Sequence, residues 1–180
     1  MKTTPAPTGL RKAAALLCLC AAFGYAPPAP AQAPPDCQSF DWPLEREGAW
    51  FAAPNLPTIE SGGQASTNGA VAIRLRPNDE VGFATPPERA PKAPGSFGAK
   101  LDVAAPAKPG LYQITLSDDA WIDVVQGGAR LKSAAFTGRK ACPGLRKSVR
   151  FELKGTPFTI QVSGAATDRL KLAVGPVEGR

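Results

Sequence analysis

Between Gly110 and Pro176 apolar residues recur at every second position, and this rhythm constrains the fold more than anything else in the chain. Tyr112, Ile114 and Leu116 alternate with polar neighbours, as do Val149, Phe151 and Leu153. The pattern returns in Phe158, Ile160 and Val162, and again in Leu170, Leu172 and Val174. A period of two puts each set on one face of a strand, because successive side chains leave a pleated backbone on opposite sides. The segments GLYQITL, AWIDVV, ARLKSAAF, SVRFELK, FTIQVS and RLKLAVG therefore read as six short strands. One apolar face per strand requires a second sheet to cover it.

Upstream, Val71, Ile73 and Leu75 alternate with Arg74 and Arg76, and Phe97, Ala99, Leu101 and Val103 form a similar set. Val81 and Phe83 read as the opening of a further strand after a turn at Pro77-Asn78-Asp79. Trp50 and Phe51 read as a short strand or turn, and residues 55–68 as a polar loop. PPERAPKAPG (residues 86–95) reads as a surface loop, since proline cannot donate to a strand ladder. No stretch beyond residue 31 carries the period of an amphipathic helix. The expectation is an all-β chain, an antiparallel β-sandwich of about eight to ten strands. Jelly-roll and immunoglobulin-like orders fit the pattern equally well.

Residues 1–31 have the form of a secretory signal peptide. Lys2, Arg11 and Lys12 precede an apolar stretch too short to span a bilayer, and Ala29-Pro30-Ala31 supplies a small-residue cleavage signal after Ala31. The expected layout is a signal peptide at 1–31, a leader at 32–48 and a sandwich domain at 49–180, periplasmic or secreted, with no transmembrane segment in the mature chain. Within the leader, Phe40, Trp42 and Leu44 form an apolar patch able to dock on a sandwich edge. Removing Lys2, Arg11 and Lys12 lowers the formal charge from +6 to +3, a weak argument about partners. Of four cysteines, only Cys37 and Cys142 lie beyond the export segment. In an oxidising compartment they are expected to pair as a structural staple.

The chain contains no histidine. A Ser-His-Asp or Cys-His site cannot be built without one, and histidine-ligated zinc, iron and copper centres are excluded too. No cofactor is implied. Carboxylates remain: Asp118, Asp119 and Asp123 fall within LSDDAWIDV, where they offer a weak calcium site or an acid–base pair. The simpler reading is that Asp118-Asp119 caps a hairpin turn. Asp123 shares a strand face with Trp121. Inward, it needs a partner such as an arginine; outward, it leaves Trp121 as an exposed aromatic beside an acid, able to grip a sugar ring.

A basic run follows: Arg130, Lys132, Arg139, Lys140, Arg146, Lys147 and Arg150, with no acid between Asp123 and Glu152. It is either a solvated face or a site for phosphate, sulfate or uronate groups. Trp42, Trp50 and Trp121 are either core residues or part of a carbohydrate platform. Nucleic acid is not indicated, because the run lacks interleaved aromatics apart from Phe136 and Phe151.

WPLERE, PERAPKAPGSFGAKL, GLYQITLSDDAWIDVV and CPGLRKSVRFEL together resemble a family of small exported proteobacterial proteins. GLYQITLSDDAWIDVVQGG is also similar to the pre-peptidase C-terminal domain, which implies a jelly-roll-type domain appended to secreted peptidases. A likeness to chains labelled homogentisate dioxygenase implies an iron site on histidines, which this sequence lacks. Three functions stay open. The first is a non-catalytic module for an anionic envelope glycan, sugar or lipid head group, using Trp121, Asp123 and the basic run. The second is an accessory protein that binds another envelope protein along a sheet edge. The third is an enzyme working with carboxylates alone.

Overall fold

The structure, a computed structural model, describes residues 1–4, 35–91 and 93–177. The signal peptide expected at 1–31, with its expected cleavage after Ala31, lies almost wholly outside the described residues. The chain divides into Met1–Gln32 and Ala33–Arg180, and every element described belongs to the second unit. Among the described residues no helix is long and apolar enough to cross a membrane.

Among the described residues there are twelve strands, more than the eight to ten expected: β1 (Thr58–Glu60), β2 (Gln64–Ala65), β3 (Gly69–Arg74), β4 (Arg76–Pro77), β5 (Phe97–Val103), β6 (Gly110–Leu116), β7 (Trp121–Gln126), β8 (Ala129–Arg130), β9 (Ala135–Gly138), β10 (Lys147–Leu153), β11 (Phe158–Ala165) and β12 (Arg169–Pro176). They form two sheets, the first ordered β1-β3-β12-β6-β10-β9 and the second β2-β5-β11-β7-β8, with β4 on the side of β5. The pairings are antiparallel except at β1–β3 and β2–β5, so both sheets are mixed. The alternating residues interdigitate between them: Ile73, Ile114, Leu116, Phe151 and Leu172 from one, Leu101, Val124, Ile160 and Val162 from the other, all essentially inaccessible to solvent.

The pairing is nested. β3 lies beside β12, β5 beside β11, β6 beside β10 and β7 beside β8. A long hairpin rolled onto itself gives this order, that of a jelly roll, and it decides between the two topologies the strand rhythm allows. The tip of the hairpin is the Gly127-Gly128 turn, where both residues have positive φ. A two-residue hairpin needs this, and glycine adopts it without steric cost.

Several segments depart from the sequence expectations. Glu45–Phe51 is a short α-helix (α1), so Trp50 and Phe51 close a helix and do not open a strand. Seven residues are too few to be stable alone, so its packing must hold it. Residues 55–68 contain β1 and β2, while Val81 and Phe83 lie outside any strand. ARLKSAAF is not one strand. It begins as β8 in the second sheet, crosses at residues 131–134, and continues as β9 in the first. Residues 117–120 likewise join β6 to β7 across the two sheets, so Asp118-Asp119 sits in an arch, not in a hairpin turn.

The leader packs on a face, not on an edge. On the outer side of the first sheet, Thr137, Ser148, Thr115 and Ala173 run across β9, β10, β6 and β12, all buried although they point away from the core. Residues 37–51 cover that face. The Asp41 N–H donates to Thr137 Oγ1 at 3.1 Å, Trp42 lies under the Arg150 guanidinium at 4.0 Å, and Arg46 Nη2 donates to the Pro176 carbonyl at 3.0 Å. Glu47 is buried beneath the helix against Arg46 at 2.7 Å. The Cys37–Cys142 disulfide fastens the start of this cover, with Cα atoms 4.9 Å apart.

Candidate functional site

The outer face of the second sheet is covered as well, by the proline-rich residues 81–91, and the side chains that hold them are specific. Gln161 on β11 takes both backbone groups of Thr85: Oε1 accepts its N–H at 3.3 Å and Nε2 donates to its carbonyl at 2.8 Å. Beside it in register stands Asp123 on β7. Asp123 Oδ2 accepts the Glu88 N–H at 3.1 Å, and Oδ1 accepts the Trp121 indole N–H at 3.0 Å. Arg130 Nε lies 3.3 Å from the same carboxylate, while its Nη2 donates to the Pro86 carbonyl. Asp123 therefore points outward from the sandwich and is still only 2% exposed. It is a structural acid with its partners in place, one of them an arginine.

Where this strap meets the side of the sandwich there is a cavity of about 440 Å³. That is within the span of about 300–1,000 Å³ usual for small-ligand sites. It forms because the two sheets part there. β8 is only two residues long, so the Trp121–Asp123 end of β7 is an edge, and across from it stand β9 and the start of β10. Ile122, Leu131, Val149 and Phe151 give the cavity an apolar floor continuous with the core. Phe136, 72% exposed on the outermost strand β9, stands in its wall.

The rim is cationic. Lys147 continues the inward row of Val149 and Phe151 past the end of the core, which brings its ammonium across to the other sheet. There it lies 5.3 Å from the Trp121 ring centroid and donates to the Ala120 carbonyl at 2.9 Å. The Arg89 guanidinium sits 4.2 Å from the centroid of the same ring. Arg146 also faces the cavity, 3.5 Å from Asp119. Among the described residues, Arg89 and Lys140 line the cavity without a carboxylate at ion-pair distance.

The basic run thus separates by role. Arg130 pins the strap, Arg150 packs on Trp42 and Gln113, and Arg139 grips Ser39 and Asp41 of the leader. Lys140, Arg146 and Lys147 reach the cavity, and Lys132 is exposed outside its wall. Of the tryptophans, Trp42 is buried under the leader, Trp50 lies beneath Arg46, and Trp121 alone lines the cavity. Asp118 accepts the Ser117 hydroxyl at 2.6 Å. Among the described residues no three carboxylates or thiolates gather as a metal-binding group, so Asp118, Asp119 and Asp123 do not converge on a calcium-sized site.

Two cavity residues escape sequence reasoning. Arg89 is one of two cations in a loop read only as a proline-rich connection. Ser163 sits at a β-bulge, where β11 carries one extra residue against β5 between Val162 and Ala165 and Gly164 takes φ 73°. Bulges re-aim side chains in this way, and nothing in the local sequence announces one.

No family model, curated protein or solved structure matches this chain.

Proposed function

We propose that this protein is an exported, non-catalytic binding module that holds a small amphipathic anion in the cavity between strap and sandwich. The apolar part of the ligand rests on Ile122, Val149 and Phe151, and its anionic group meets Arg89, Lys140 and Lys147. One observation carries the reading: an apolar floor ends at a rim where, among the described residues, Arg89 and Lys140 have no carboxylate at ion-pair distance. An anion is the complement of such a rim, and the semi-enclosed setting reduces solvent screening. Arg89 against the Trp121 ring favours an anion over a neutral sugar, which would need that ring face for stacking. Asp119 and Asp123 make a poor acid–base pair, because Asp123 already accepts two hydrogen bonds beside Arg130 and Asp119 faces Arg146. Export rests on residues 1–31, and the disulfide and the lack of a spanning helix among the described residues are compatible with it.

A second reading has its own support. β9 is the outer strand of its sheet and carries Phe136, the one large apolar side chain exposed in the described part of the sandwich. An accessory role through that edge would use it as the contact point.

Thermal unfolding of the disulfide-intact protein with decanoate, glucuronate, inorganic phosphate and glucose, at low and high salt, separates these readings. Saturating decanoate should raise the midpoint, by about 2.7 kcal/mol of stability at a hundredfold excess over Kd, and salt should diminish the effect. No shift with any compound would reject the small-ligand reading and leave the β9 edge.

A further inference from the structure

Ser163 is among the residues that line the cavity, 1% exposed, and its hydroxyl makes no hydrogen bond among the described residues. A buried hydroxyl without a partner costs stability, and at most positions an alanine would serve the fold better. Its position is specific. The bulge in β11 frees Ser163 from the register with β5 and leaves it paired with Trp121 across β7. Directly cross-strand side chains stand about 5 Å apart on the same face. Ser163 therefore stands beside Trp121, whose ring carries the Arg89 guanidinium at 4.2 Å. Pro91 of the strap closes over this point, 3.7 Å from where a Cβ on Gly164 would stand.

We infer that Ser163 is a specificity-determining contact, and that the ligand is an apolar acid carrying a hydroxyl on or next to its acid head. This rests on the proposed binding function and names its substrate class. Arg89 and Ser163 both adjoin the Trp121 side chain, so a single ligand head that touches both carries its hydroxyl close to its anionic group. The remainder of the ligand passes the edge of β7 onto Ile122, Val149 and Phe151, where no side-chain polar group is orphaned. The hydroxyl of such a ligand exchanges hydrogen bonds with Ser163 Oγ while its carboxylate faces Arg89 and Lys147.

The test compares 3-hydroxydecanoate with decanoate by isothermal titration, on the intact protein and on Ser163→Ala. The intact protein should hold the hydroxy acid about tenfold more tightly, the equivalent of roughly 1.4 kcal/mol. In Ser163→Ala the two acids should bind alike, with decanoate affinity unchanged, and the variant should melt at or above the original temperature. Equal binding of both acids to the intact protein would overturn the assignment of Ser163 and leave the binding function standing. A loss of stability in Ser163→Ala would also overturn it, by giving the hydroxyl a structural use. Failure of both acids to bind would remove the binding function and this inference together.

Discussion

The backbone N–H of Glu88 donates to Asp123 Oδ2 at 3.1 Å, which ties a proline-rich strap to a strand 35 residues further along the chain. The same carboxylate orients Trp121 and faces Arg130. One side chain thereby sets the strap, the aromatic wall of the cavity and the mouth through which a ligand would enter.

Replacing Asp123 by alanine should therefore cost more than an average substitution. It would leave Arg130, three-quarters buried, without its acid, and removal of one partner of a buried pair costs roughly 3–5 kcal/mol. About 3 kcal/mol is expected here, because Arg130 keeps some solvent, with side-chain exposure of 27%. Urea unfolding measures the loss, and amide exchange should quicken at residues 85–88. A change below about 1 kcal/mol would mean the strap is held by other contacts.

The disulfide offers a second test. Cys37 and Cys142 are 105 residues apart, and closing a loop of that size contributes at most about 4.7 kcal/mol, more commonly 2–4. A Cys37→Ser/Cys142→Ser variant should lose stability in that range. Its residues 37–51 should become sensitive to protease first, because the staple holds one end of that cover. Uniform loss across the whole sandwich would contradict the view of these residues as a separately fastened layer.

Gly98 on β5 has no room for a side chain. A Cβ there would stand 2.7 Å from the Val162 carbonyl and 2.6 Å from Asn78 Oδ1, on the flank of the β11 bulge. Backbone cannot yield as a side-chain end can, so Gly98→Ala should destabilise by about 3 kcal/mol. Calorimetric unfolding checks it. A near-neutral result would show that the bulge can shift, and with it Ser163.

The strands were legible because their signal is local. Val149, Phe151 and Leu153 reveal their face by spacing alone, and all three are buried in the core. The cysteine pair was legible by elimination, and the structure contains that bond. Other features depend on residues distant in sequence. EREGAWF is a helix because Arg46 reaches the Pro176 carbonyl and Glu47 is buried beneath it, contacts that no seven-residue window contains. Asp123 faces outward as the pleat requires, and its burial comes from a loop that carries no strand or helix rhythm. The basic run was visible, but not its division. Arg139, Lys140, Arg146, Lys147 and Arg150 fall to different tasks because the pleat sends Lys147 and Arg150 to opposite faces of β10, and Lys147 alone continues the core row.

The most direct measurement is a calorimetric titration of decanoate into the disulfide-intact protein and into an Arg89→Ala/Lys140→Ala variant, at low and at high salt. Saturable one-to-one binding is expected for the intact protein, weakened by salt. The double variant should lose about tenfold or more in affinity, the equivalent of one charge-assisted contact, while its stability falls by no more than about 1 kcal/mol, the loss of the Arg89–Trp121 contact. Absence of binding to the intact protein, or binding indifferent to both cations and to salt, would contradict a cavity built to receive an anion.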